Sequence, residues 1–280
     1  MRRRGSLAAG LALAAVAGLA GLLAAGQFRP AAPLPAPATV TLPAGSYAWR
    51  PFGAWRRDGV LVPTPLLAAT APVPIHVMRD LVTRADYARC VAEHACPPAE
   101  AGAVPAAAGG PAEDYPQTGV SWQDAQAYAA WLSARSGRPW RLPTDAEWQR
   151  AAAERFGDDG VAAGGGDIAA RWLAEYDRTT LLRGRPDPVL RPSGGWGRNS
   201  LGLADMAGNV WEWTQGCVTD AAAVGEGPFV PSEPYCGVRI AEGRHRAPVI
   251  DFVRDASAGG CGLGIPPDYL GFRLVSDAAG

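Results

Sequence analysis

Two stretches of this chain carry a complete set of helix signals, and glycine and proline cut the rest into short pieces. The first opens at Ser121, a favoured N-cap, with Asp124 three residues on as partner in a capping box. Trp122, Ala125, Ala129 and Leu132 then keep to one apolar face until Gly137 stops the run. The second opens at Thr144 with Glu147 in the box position. Its inner face is Trp148, Ala151, Ala152 and Phe156, and Gly157 ends it. Elsewhere 35 glycines and 26 prolines in 280 residues leave short strands and long loops. Strands are expected between Val40 and Val77, over 210–214 and over 271–275, with a small-residue surface loop at 103–114. Ten tryptophans call for an ordered core to bury them. The expected architecture is one irregular α+β domain of two main helices, short strands and long loops.

The 26 basic residues are all arginine, since the chain contains no lysine. That excludes a Schiff-base lysine, a P-loop lysine and a lysine general base. The formal charge is −1 and no long basic run follows the leader, so nucleic acid is not an expected partner.

Arg2, Arg3 and Arg4 precede an apolar stretch over 7–25, the layout of a secretory signal. Residues 1–26 are therefore read as a signal peptide or an uncleaved anchor. A proline-rich tether follows over 27–38, and the folded domain over 39–277. The expected location is periplasmic or secreted, with membrane contact only through the N-terminal segment. Export permits disulfides among the five cysteines. Cys90 and Cys96 lie close enough to pair across a helix end, and Cys217 with Cys236 would close a longer loop. Cys261 is then left over, although sequence alone leaves the connectivity open.

Three motifs are distinctive in combination. Gly119-Val120-Ser121-Trp122 leads into the first helix, and Arg141-Leu142-Pro143-Thr144-Asp145-Ala146-Glu147-Trp148 into the second. The third is Gly202-Leu203-Ala204-Asp205-Met206-Ala207-Gly208-Asn209-Val210-Trp211-Glu212-Trp213, and Gly271-Phe272-Arg273 follows near the end. In this order they resemble the formylglycine-generating enzyme, or sulfatase-modifying factor, family. The resemblance implies a C-type-lectin-like variant fold. It also implies a calcium site that maps here onto Asp205, Gly208, Val210 and Glu212, oxygen donors suited to a hard cation. The alternative for Glu212 is an ion pair with a buried arginine, Arg141 or Arg273.

The family's oxidases hold copper with two cysteines about five residues apart. Counting back from Gly271 puts His245 and Ile250 at those places, and counting forward from Gly243 puts Pro248 and Val253 there. A copper(I) dithiolate needs two soft sulfurs, so copper and formylglycine generation by that route are not expected.

The altered stretch is rich in ionisable groups: Glu242, Arg244, His245, Arg246, Asp251, Arg254 and Asp255. Arg244, His245, Arg246 and Arg254 are read as lining a groove for a partner or ligand, with a solvated loop of self-paired charges as the alternative. Glu242, His245, Asp251 and Cys261 are the candidates for a catalytic metal centre. His76 and His94 are read as ordinary packing or surface residues, and Trp211 and Trp213 as core.

Three functions follow. The first is an exported relative without the copper-thiolate site, acting as a monomeric accessory, maturation or binding protein for a protein or small-ligand partner in the cell envelope. Its 236–271 stretch resembles members encoded beside copper nitrite reductases. The second is an oxidoreductase with a non-dithiolate centre around 242–261. The third is a lectin-like binder with structural calcium.

Overall fold

A computed structural model describes residues 32–100, 111–157, 189–243, 246–254 and 270–277. The chain divides into Met1–Pro33, almost wholly outside those residues, and Leu34–Gly280, the unit considered below. The leader, most of the 103–114 loop, Arg244, His245, Asp255 and Cys261 also lie outside the described residues.

Three α-helices stand among the described residues: α1 Arg84–Ala92, α2 Trp122–Ser136 and α3 Asp145–Ala152. Each begins with a reciprocal capping box, at Thr83/Asp86, Ser121/Asp124 and Thr144/Glu147. Helix α2 ends on Gly137 in the left-handed region, φ 69°, where a side chain would be strained. Two helices were expected, and α1 is the addition. Its box is legible, but only Tyr87 and Cys90 on it are buried, which leaves little apolar period to read.

Helix α3 also stops earlier than its apolar period suggests. The α-helix ends at Ala152 and a 3-10 turn follows over Ala153–Arg155. The cause is non-local. Asn199, from a later loop, donates from Nδ2 to the carbonyls of Ala151 and Ala152 at 2.7 and 3.3 Å. Its Oδ1 accepts from the amides of Leu201 and Leu203, so one buried side chain closes the helix and its own loop.

The strands form four small sheets. Strands β1 (Thr39–Leu42), β6 (Ile75–Met78) and β13 (Val275–Ser276) make one, in the order β1-β6-β13. Strands β2 (Gly45–Trp49) and β5 (Leu67–Ala71) make an antiparallel pair. Strands β3 (Trp55–Arg57), β4 (Val60–Val62), β8 (Ala221–Ala223) and β9 (Val230–Pro231) make a third, ordered β4-β3-β8-β9. The fourth joins β7 (Trp211–Val218), β10 (Tyr235–Glu242), β11 (Ala247–Ile250) and β12 (Leu270–Gly271) in the order β11-β10-β7-β12.

The strand expected at 271–275 is two strands. Gly271 pairs in parallel with β7, whereas Val275 pairs antiparallel with β6. The chain changes sheets across Phe272-Arg273-Leu274, whose side chains are all fully buried. Strands β10 and β11 occupy a region read from the sequence as loop.

Aromatic residues fill the larger core. Tyr128 lies 5.4 Å from Phe272 and 5.3 Å from Trp131 by ring centroid, and Tyr87 stacks on Tyr128 at 5.9 Å. Trp213 is fully buried and donates its indole N–H to the Val120 carbonyl. A second cluster places Trp148, Ala151 and Ala152 of α3 against Leu42, Ile75, Val77 and Val275 of the first sheet. Disulfides join Cys90 to Cys96 at the end of α1 and Cys217 to Cys236 across β7 and β10.

Asn199→Ala strips partners from two carbonyls and two amides at a buried site. Denaturant unfolding is expected to show a loss of about 2 kcal/mol or more with an unchanged m-value. A loss within measurement error would contradict the capping role.

Candidate functional site

Strands β7 and β10 set Glu212 directly opposite Glu242, and both residues are fully buried. Opposed residues of an antiparallel pair share a face, and like charges so placed repel. Each carboxylate therefore needs its own counter-group.

Glu212 is matched by Arg273. The guanidinium binds it bidentately, Nε to Oε2 at 2.5 Å and Nη2 to Oε1 at 2.8 Å. The remaining N–H groups reach the carbonyls of Ala204, Met78 and Arg79. Of the two arginines considered from the sequence, the buried Arg273 is the partner. Arg141 instead binds Glu147 through two hydrogen bonds of 2.7 Å, and Glu147 raises its pKa.

Glu242 belongs to a buried polar knot at the start of α3. Gln149 Nε2 lies 3.5 Å from Glu242 Oε1 and donates to Asp145 Oδ1 at 2.7 Å and to the Arg50 carbonyl at 2.9 Å. Its Oε1 accepts from the Arg50 amide. Arg246 approaches Asp145 Oδ2 at 3.9 Å, donates to the Arg50 carbonyl, and lies over the Phe52 ring at 5.3 Å. Next to Glu242, the Cβ of any residue at Gly243 would fall 2.2 Å from Trp211 Cε3, so this position must be glycine for Trp211 to pack as it does.

Two other ionisable residues of the altered stretch, Asp251 and Arg254, go elsewhere, to the start of α2. Arg254 binds both oxygens of Asp124, at 2.6 and 2.7 Å. That hydrogen bonding raises the Arg254 pKa against partial desolvation. The Asp251 carbonyl accepts from the Trp122 amide. The structure thus divides Glu242 and Arg246 from Asp251 and Arg254, one pair at each helix start. Glu242 and Arg246 are buried within the fold, not set on a solvated loop or an open face. Arg244, His245 and Cys261 lie outside the described residues. Among the described residues, no three His, Cys, Asp or Glu side chains gather as a metal-ligand group.

The calcium set can be judged by its donors. Asp205 Oδ1 and Oδ2 accept from the backbone amides of Trp196 and Gly194, at 2.8 and 2.7 Å. The Gly208 carbonyl accepts from the Val210 amide. Both oxygens of Glu212 face the Arg273 guanidinium. A cation placed here would meet the positive charge of Arg273 and compete for carboxylates already engaged. As arranged, the oxygens of Asp205, Gly208 and Glu212 are spent on protein donors and do not fit a calcium ion.

Sequence reasoning did not find Asp145, Gln149 or Arg50 as parts of the site. Asp145 and Gln149 carry the spacing of one helical turn, but their burial against β10 is a tertiary fact. A cavity of about 300 Å³ opens beside the Asp205 loop, between Glu154, Arg155, Trp196 and Met206. It shares none of its lining with the Glu242 knot.

A mixed fold of capped helices and short strands, closed by a buried Gly-Phe-Arg crossing, defines a lectin-like scaffold of the sulfatase-modifying type. Residues 24–278 match the family of the sulfatase-modifying factor enzyme 1-like domain, and the chain belongs to that family. It is 31% identical over 195 residues to the formylglycine-generating enzyme of Streptomyces coelicolor, a match covering 59% of this chain and 54% of that protein. It is 38% identical over 110 residues to the Mycobacterium tuberculosis enzyme, covering 36% of this chain and 33% of that one. To the inactive C-alpha-formylglycine-generating enzyme 2 of Bos taurus it is 37% identical over 111 residues, covering 36% of this chain and 33% of that protein. These matches span about a third to a half of the relatives' lengths. Among solved structures, PvdO from Pseudomonas aeruginosa shares the fold at TM-score 0.53 and 21% identity, covering 86% of this chain and 95% of that one.

The Glu212–Arg273 pair predicts a strong asymmetry. Glu212→Gln or Arg273→Met alone is expected to cost about 3–5 kcal/mol, because each strands a buried charge. The double variant is expected to cost less than the sum of the two. Additive losses in a double-mutant cycle by chemical denaturation would show that the two groups do not depend on each other.

Proposed function

We propose that this chain is an exported, non-oxidising member of its family that serves as an accessory, maturation or binding protein for a partner in the cell envelope. Copper nitrite reductase is one such partner, suggested by the resemblance of the 236–271 stretch. One observation carries the reading: four of the five cysteines are committed to disulfides. Only Cys261 then remains, and a copper(I) dithiolate needs two sulfurs.

The strand geometry supports the same conclusion. Pro248 and Ile250, where the two ways of counting would place a family cysteine, lie in β11 opposite Ile240 and Val238 of β10. The neighbouring Ala247 and Val249 are buried. This segment is a paired, mostly apolar strand, with no thiol to present to a metal. The relatives also include proteins named as inactive, so the scaffold occurs without the oxidation. Two disulfides suit an oxidising compartment, in keeping with export. Among the described residues no helix is long and apolar enough to cross a membrane.

The test is incubation of the full chain with copper, oxygen and a cysteine-containing sulfatase-motif peptide, followed by mass analysis for the aldehyde. No conversion above the protein-free control is expected. Catalytic conversion would overturn the proposal.

A further inference from the structure

The two disulfides differ in their surroundings. Cys90 and Cys96 are 0% and 5% exposed inside the aromatic core, whereas Cys217 and Cys236 are both only partly buried. The second bridge also lies where the pairing of β7 and β10 is irregular. Tyr235 sits opposite Val218 and Arg239 opposite Cys217, with a register shift between them.

One of its sulfurs has a cation beside it. Arg239 Nη1 donates to Cys217 Sγ at 3.1 Å and to the Gln215 carbonyl at 3.3 Å. The guanidinium is stacked on Trp122, 3.8 Å from the ring centroid, and its Nε is buried without a hydrogen-bond partner. Burial lowers the Arg239 pKa, and the nearby Asp251 opposes that only in part. A half-desolvated guanidinium with a neutral sulfur as one of its few partners gains more from a thiolate in that place.

We infer that Cys217–Cys236 is a thiol–disulfide exchange site, at which an external thiol attacks Cys236 and Arg239 receives the departing Cys217 thiolate. In the first step the incoming thiolate forms a new S–S bond to Cys236 Sγ. The Cys217–Cys236 bond breaks, and its electron pair leaves on Cys217 Sγ under the Arg239 N–H. With a dithiol, the second thiol attacks the mixed disulfide, frees Cys236 and departs as the oxidised dithiol. Two electrons and two protons pass to the protein. Attack runs along the S–S axis, so the nucleophile enters on the Cys236 side, beside the exposed Tyr235 and Gly237. The inference is independent of the proposed accessory role. It connects to the site because the opened strands are those that carry Glu212 and Glu242.

The experiment uses the full, oxidised chain with Cys261 alkylated beforehand. Reduced glutathione is added under native conditions, the reaction is acid-quenched, and peptides are mapped by mass spectrometry. Expected are a glutathione adduct on Cys236, a free thiol on Cys217 and an intact Cys90–Cys96 bridge. Arg239→Gln should slow opening about tenfold by raising the leaving thiol's pKa, and Arg239→Lys should restore most of the rate. An adduct on Cys217, equal opening of Cys90–Cys96, or an unchanged rate in Arg239→Gln would overturn the assignment. If Arg239→Gln loses its cooperative melt, the position of the adduct in the unaltered protein decides alone.

Discussion

The buried contact between Arg273 and Glu212 ties two sheets and a long loop together. Arg273 is fully buried at the point where the chain leaves the β7 sheet for the β6 sheet. From there its guanidinium holds Glu212 on β7, the Met78 and Arg79 carbonyls at the end of β6, and the Ala204 carbonyl of the long loop. An isolated buried charge would be prohibitively costly. Here the paired carboxylate and three carbonyls offset the desolvation, and the same bonds position two sheets and a loop.

The pattern recurs at the helix starts. Asp124 and Glu147 are the box acids of α2 and α3, and Asp145 is the first residue of α3. Each also meets an arginine: Asp124 and Asp145 take Arg254 and Arg246 from distant sequence, and Glu147 takes Arg141 from six residues before it. A carboxylate at a helix N-terminus is favoured by the helix dipole, and the planar guanidinium can grip both of its oxygens. A lysine-free chain uses that fork throughout. The helix starts thereby become the anchors of loops, which helps a protein with so little regular structure keep a defined shape.

This also explains what the sequence could reveal. The α2 and α3 starts were legible because cap, box and apolar period lie within a few residues of one another. So was the order of the family motifs, and with it the fold. The early end of α3 was not, because it is imposed by Asn199 some 50 residues later. Strands β10 and β11 were hidden by Gly237, Pro248 and a run of charges that read as loop. The inward placement of Glu242 and Arg246 was hidden for the same reason: nothing local shows that they point toward Gln149 and Asp145. The choice between cation and ion pair at Glu212 turned on Arg273, which lies 61 residues away.

What results is a family scaffold held by ion pairs and disulfides, from which we propose that the metal-binding sulfur pair has been lost. Elemental analysis of the full chain, purified from an oxidising compartment without chelators, tests this most directly. The account predicts that neither copper nor calcium approaches one equivalent per chain. One tightly held copper per chain, or one calcium lost on replacing Glu212, would contradict it.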